Sequence, residues 1–170
     1  MPFARSLAVV SLAAAGAVLS ACATGPMTGP AVAAYDAAAF AWSTVQGSNG
    51  ISGRVAYAAG GRSWSCAGSV GLTPETAWTR QRFQTLYGST QRAAIPAAIV
   101  RARSVSEASA DYQGFVRSTS CDGQGRFRFS GLPDGAWFVI APVTDGGNEP
   151  VVLMRRVTTR GGQVTDVSLD

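Results

Sequence analysis

The chain has 170 residues, a formal charge of +4, 46% apolar residues and 14% charged residues, a composition that folds, with room for one domain and extensions. All 14 of its cations are arginine, and it has neither histidine nor lysine. Those absences exclude Ser-His-Asp and Cys-His nucleophiles, the usual zinc and non-haem iron sites, Schiff-base chemistry and the lysine of a phosphate-binding P-loop. Carboxylates, tyrosine, hydroxyls and arginine remain, so a non-catalytic role without metal or cofactor is expected.

The chain opens "MPFARSLAVVSLAAAGAVLSAC", with Arg5 ahead of an apolar run from Leu7 to Ala21. The run is shorter than the roughly 20 residues a spanning helix needs and has the layout of a secretory signal over residues 1–21. An uncleaved anchor is the alternative. Leu19-Ser20-Ala21-Cys22 resembles a bacterial lipobox. The resemblance implies cleavage before Cys22, a diacylglycerol on its thiol and an acylated amino terminus, with palmitate among the chains. A plain secretory signal with a coincidental cysteine is the other reading. Ala23 rather than aspartate at the second mature position implies retention at the outer membrane, on its periplasmic side or its surface. Buried acyl chains at about 0.8 kcal/mol per CH₂ make a stable anchor.

Residues 22–48 are expected to be the lipidated cysteine and a tether. "ATGPMTGPAVAA" is small and uncharged, as linkers are. A flexible tether of about 25 residues reaches roughly 25–30 Å, which keeps the domain near the membrane. Within it, "YDAAAFAWSTV" (35–45) has helical propensity and offers Phe40 and Trp42 as docking contacts.

From residue 49 the pattern is strand-like. "ISGRVAYAA" places Ile51, Gly53, Val55 and Tyr57 on one face, and "SWSCAGSVGLT" does the same for Trp64, Cys66, Val70 and Leu72. Thr73-Pro74-Glu75 reads as a helix start, and the helix should stop at Gly88 with Phe83, Leu86 and Tyr87 sharing a face. Trp78 lies off that face, about 140° around it. Five more strand patterns follow at 112–120, 126–130, 136–143, 151–159 and 163–170, separated by "CDGQG", "GLPDG", "TDGGNEP" and "RGG". Such separators close hairpins. The expectation is a mostly β fold: an antiparallel, Greek-key-type sandwich of about seven strands, built of consecutive hairpins, with a helix-containing insertion at 73–111.

The set "GRV…SVGLTPET…TSCDGQGRFRFSGLPDGAWFV…GGQVTDVSL" resembles a carboxypeptidase regulatory-like domain, a transthyretin-like (prealbumin-like) β-sandwich. The resemblance spans 49–170 and is most specific at Asp122–Gly135. It implies a module that supports folding, adhesion or interaction. Transthyretin-like hydrolases and intradiol dioxygenases of related form use histidine, and adhesin domains of a similar build weld lysine to asparagine. Those chemistries need residues this chain lacks.

An exported compartment is oxidising, and Cys66 and Cys121 both lie beside strand patterns, so a disulfide between them is expected. Two buried thiols are the alternative. A redox pair would be expected to have a C-x-x-C motif or a neighbouring histidine, and has neither. Arg80, Arg82, Arg101 and Arg103 on the insertion, with Trp78, form the candidate binding face for an anionic glycan or an acidic envelope protein. A solvated surface and core packing of Trp78 are the competing readings. Asp122 and Asp134 lie in glycine-bearing turns, where turn stabilisation is their ordinary role, and a carboxylate-based hydrolase would need them as a pair. An export signal disfavours nucleic acid as a partner.

Overall fold

The computed structural model describes residues 33–103, 105, 110–147 and 149–170. The signal, Cys22 with its lipobox, and residues 23–32 of the tether lie outside the described residues. Among the described residues the first element is a 3₁₀ helix, Ala37–Thr44, followed by β1 (Asn49–Val55), β2 (Ala58–Ala59), β3 (Arg62–Ser63), β4 (Ser65–Cys66) and β5 (Ser69–Pro74). Next come α1 (Ala77–Tyr87), β6 (Arg92–Pro96), α2 (Ala97–Ala102) and α3 (Ala110–Gln113). The last five strands are β7 (Arg117–Ser120), β8 (Arg126–Leu132), β9 (Gly135–Thr144), β10 (Val151–Thr159) and β11 (Val164–Leu169).

Two sheets face each other. The larger runs β6-β10-β9-β5-β7 with β4 also on β9, and the smaller runs β11-β1-β8. This is the expected β-sandwich. Alternation fills the space between them: Ile51, Phe127, Phe129 and Leu169 come from the small sheet, and Val70, Leu72, Trp137, Val139, Val143, Leu153 and Val157 from the large one. Trp137 is fully buried, and its indole N–H donates to the Thr159 hydroxyl at 3.0 Å. That hydroxyl donates in turn to the Pro133 carbonyl at 2.7 Å, so the buried polar pair is satisfied.

Connectivity departs from consecutive hairpins. The Asp122 turn closes as expected, with the Asp122 carboxylate accepting from the Gln124 and Arg126 N–H groups. Its two strands then diverge, β7 into the large sheet and β8 into the small one, and β9 crosses back again. Only in this way can Phe127 and Phe129 face the core from the side opposite Val70 and Leu72. The first and last strands, β1 and β11, pair in parallel, while every other pair is antiparallel. Gly53 stands directly opposite Phe127, and a Cβ there would overlap the Phe127 ring. The glycine of the opening Gly-x-Val strand is thus the floor on which that ring lies.

The segment 73–111 is not simply inserted. Thr73 and Pro74 continue β5 opposite Phe138 and Trp137, so they do not start the helix. Thr76 is the N-cap instead: its hydroxyl accepts from the Thr79 N–H at 3.1 Å, and the Thr79 hydroxyl accepts from the Thr76 N–H at 2.7 Å. Gly88, at φ 70°, ends the helix as expected. β6 then forms the edge of the large sheet beside β10. The predicted strand 112–120 is shorter, because Tyr112 and Gln113 close α3 and only Arg117–Ser120 pairs with β5.

Helix α1 covers the outer face of the large sheet, where Phe83 and Tyr87 pack on Phe138 and Met154. Burial of the Tyr87 hydroxyl is the main cause that pushes its pKa up to about 12, with Tyr112 adding to it and Arg82 opposing it. Below pH 10 the phenol is neutral folded or unfolded, and its contribution is intact. Between about pH 10 and 12 only the unfolded chain's tyrosine ionises, so stability should fall by about 2–3 kcal/mol across that window. Urea titrations at pH 9 and above pH 11 check this. The Tyr87→Phe chain should lose less over the same interval, and an equal loss would remove the assignment.

The expected tether helix is part of this body. Phe40 is fully buried among Trp78, Tyr112, Tyr35 and Phe115. Trp42 lies edge-on to Trp137 at 4.8 Å and directly over Gly135, where a Cβ would overlap its ring. Residues 33–48 therefore belong to the folded unit, and the domain starts well before residue 49.

Candidate functional site

The residues expected to form a face on 73–111 do not assemble into one. Trp78 is 7% exposed, at the centre of the aromatic cluster with Phe40 and Tyr112. Packing on Phe40 and Tyr112 removes its ring from the surface. Arg82 lies over that ring at 5.2 Å. Arg80 binds Glu75 at 2.8 Å, and Arg156 holds the other oxygen of the same carboxylate at 2.6 Å. The Arg103 guanidinium donates to the Leu86 carbonyl at 2.6 Å, at the C-terminal end of α1 where a cation is favoured. Arg101 is exposed on the short α2. Three of the four guanidiniums thus have internal partners.

A different group of arginines does share a face. In β1 the inward positions are Ile51, Gly53 and Val55, so Ser52 and Arg54 point out. In β8 Phe127 and Phe129 point in, so Arg126 and Arg128 point out. In β11 Val167 and Leu169 point in, so Asp166 and Ser168 point out. The register aligns them in two rows across the small sheet: Asp166, Ser52 and Arg128 in one, Ser168, Arg54 and Arg126 in the other. A shallow groove of about 440 Å³ is lined by these residues except Arg128, which lines the neighbouring concavity. It adjoins a concavity of about 650 Å³ that shares Ser52 and Arg126 and runs to Cys121. A third, of about 510 Å³, continues round Cys66 and Cys121. Together they make a trough from the open sheet face to the corner where β7 crosses to β8.

The disulfide between Cys66 and Cys121 forms that corner, with Cα atoms 6.3 Å apart. Cys66 is fixed because β4 and β5 lie end to end along β9, bridged by the Ala67 N–H bonded to the Pro142 carbonyl at 2.9 Å. Cys121 is fixed by β7.

Electrostatically the face is uneven. Arg54 and Arg126 stand directly opposite each other across β1 and β8, a like-charge pairing that is unfavourable on its own. Asp122 offsets Arg126, with Nε to Oδ2 at 2.9 Å. Hydrogen bonds to Asp122, first from the Arg126 N–H, hold its carboxyl below the usual aspartate range. Arg54 and Arg128 are exposed and have no carboxylate partner among the described residues. The chemistry available is two unpaired guanidinium forks for an anion, serine hydroxyls, and Asp166 as an acceptor.

Asp122 and Asp134 do not form a carboxylate pair. They flank opposite ends of β8, seven residues long, or about 20 Å of strand. Paired glycosidase carboxylates stand about 5–10 Å apart. The Asp134 carboxylate accepts from the Asn49 side chain at 2.8 Å and the Gly161 N–H at 3.1 Å, a turn-fixing role. Among the described residues no group of three or more Cys, Asp or Glu can hold a metal ion.

Arg54, Arg126 and Arg128 were recoverable from sequence. "RFRFS" and "SGRV" alternate, and the phenylalanines that must face the core put the arginines outside.

No protein-family profile matches the chain, and no curated protein matches it by sequence. Among solved structures, a crystal structure from Pseudomonas aeruginosa is similar, that of a protein named a putative carbohydrate binding protein. The TM-score is 0.60 at 20% identity, covering 82% of this chain and 99% of that one. At that identity the likeness concerns the fold.

Proposed function

We propose that this chain is a non-catalytic, lipid-anchored module of the cell envelope, of carboxypeptidase regulatory-like type, that binds carbohydrate on the exposed face of its three-stranded sheet. The lipobox-like Leu19-Ser20-Ala21-Cys22 supports the anchor, and Ala23 supports the outer membrane as its place. The observation that carries the binding reading is the trough itself. Two guanidiniums with no carboxylate partner among the described residues, two serine hydroxyls and the exposed Asp166 carboxylate lie in register across three strands, an arrangement suited to sugar hydroxyls and their substituents. The name of the structurally similar protein points the same way. By sequence alone the contact face, for a glycan or an envelope protein, is expected on 73–111. The internal partners of Arg80, Arg82 and Arg103 favour moving it to the small sheet.

The test is a binding screen of the full chain, in detergent, against neutral and acidic oligosaccharides, with the bound surface located by NMR shift changes. The expected result is at least one glycan whose binding perturbs β1, β8 and β11. The reading fails if no glycan binds.

A further inference from the structure

We infer that the ligand of this face is an acidic glycan, one whose sugar rings carry both anionic groups and free hydroxyls. The inference rests on the carbohydrate-binding reading and specifies its substrate class.

Charge is distributed unevenly within the rows. Arg126 already has Asp122 as its counter-charge. Arg54 and Arg128 lie diagonally across the β1–β8 pair, with Cα atoms about 7–8 Å apart, within reach of long side chains. With no counter-charge among the described residues, they can close on one carboxylate or ester-linked sulfate or phosphate. Asp166 occupies the other flank of β1, in the same row as Arg128 and so about 9–10 Å from it across two strand spacings. Two linked pyranose rings cover that span. The cationic end and the anionic end therefore meet different parts of one ligand.

This polarity narrows the class. A neutral sugar leaves Arg54 and Arg128 without the anion that their geometry favours. A polyanion without ring hydroxyls, such as polyphosphate or an acidic peptide, brings negative charge near Asp166 and no hydroxyl to donate to it. An acidic sugar places its anion on Arg54 and Arg128 and lets ring hydroxyls donate to Asp166, with Ser52 between them and Ser168 alongside.

The probes are trigalacturonate and its fully methyl-esterified form, which share rings and hydroxyls and differ in charge. Both are titrated calorimetrically into the full chain at low and moderate salt. The acid should bind about tenfold or more tightly than the ester, as expected for charged hydrogen bonds, and should weaken as salt rises. Arg54→Gln with Arg128→Gln should bring the acid down to the affinity of the ester with no fall in the thermal midpoint, because both side chains are exposed and Arg54 faces a like charge in Arg126. Asp166→Asn should weaken both forms, and Arg92→Gln, exposed on β6, neither. Equal affinity for acid and ester, or an unaffected double variant, overturns the inference but leaves the carbohydrate reading intact. So does a neutral glycan that binds where trigalacturonate does not. Tighter binding of polyphosphate or polyglutamate than of trigalacturonate also overturns it. If no glycan binds at all, both fall.

Discussion

Replacing Cys66 and Cys121 together with alanine is expected to lower the unfolding free energy by about 4 kcal/mol, the loop-closure value for a bridge of this span. The bond closes a loop of 55 residues and joins Cα atoms at 6.3 Å, inside the ordinary range for a disulfide. Its place in the fold adds to the argument. Cys66 belongs to the part of the large sheet held by β9, and Cys121 precedes the turn that carries the chain to the small sheet. The bond therefore ties β4 to the end of β7 within the large sheet, at the corner where the trough ends. Urea denaturation of the oxidised and doubly substituted chains measures the loss. A difference below about 1 kcal/mol would mean that native packing alone holds this corner and that the loop-closure argument fails here.

Phe40→Ala is expected to cost about 3–5 kcal/mol, the range for emptying a buried phenylalanine site. Phe40 is fully buried, with ring centroids 5.0 Å from Phe115, 5.9 Å from Tyr112 and 6.3 Å from Trp78. These partners come from α1, α3 and the turn after α3, so the cavity would touch three elements that close over it. The segment is anchored at further points. The Arg117 guanidinium donates to the Ser43 carbonyl at 2.9 Å, and the Gly47 N–H to the Gly131 carbonyl at 3.2 Å. If residues 35–45 were only tether, the substitution would change stability by less than about 0.5 kcal/mol, as exposed sites do. Phe40→Leu, which keeps most of the volume, should recover much of the loss in the same denaturation experiment.

These two results concern features that were legible to different degrees in the sequence. The disulfide was legible from two cysteines beside strand patterns, given the oxidising compartment that the expected export signal implies. The sandwich followed from alternation, because Phe127, Phe129, Val139, Ala141 and Val143 keep a strict period of two. Strand partners were not legible. β1 and β11 are paired although more than 100 residues separate them, and no local signal encodes a parallel pairing at that distance. Nor did the Asp122 and Asp134 turns reveal that their strands leave for different sheets, since the same Asp and Gly chemistry closes a hairpin or a corner.

Local competition accounts for the other differences. Thr73-Pro74-Glu75 has the residues of a helix start, but the Thr73 position pairs with Phe138 in the sheet, and Thr76 offers an equally good cap three residues on. Trp78 stood apart from the Phe83–Tyr87 face on a helical wheel, which is the mark of an exposed residue only when nothing else covers that side. Phe40, from a segment assigned to the tether, covers it. The arginines of 73–111 looked like a surface because charge was counted along the chain. In space Arg80, Arg82 and Arg103 pair with Glu75, Trp78 and the end of α1. The arginines that do share an open face are spread over 75 positions of sequence, from Arg54 to Arg128, and only the pairing of β1 with β8 brings them together.

The most direct test of this account is to map trigalacturonate on the full chain by following the arginine side-chain Nε–H signals through a titration. The account predicts shifts at Arg54, Arg126 and Arg128, with backbone changes in β1, β8 and β11 and none at Arg80, Arg82, Arg101 or Arg103. Shifts centred on α1 and α2 instead, with the small sheet silent, would contradict it.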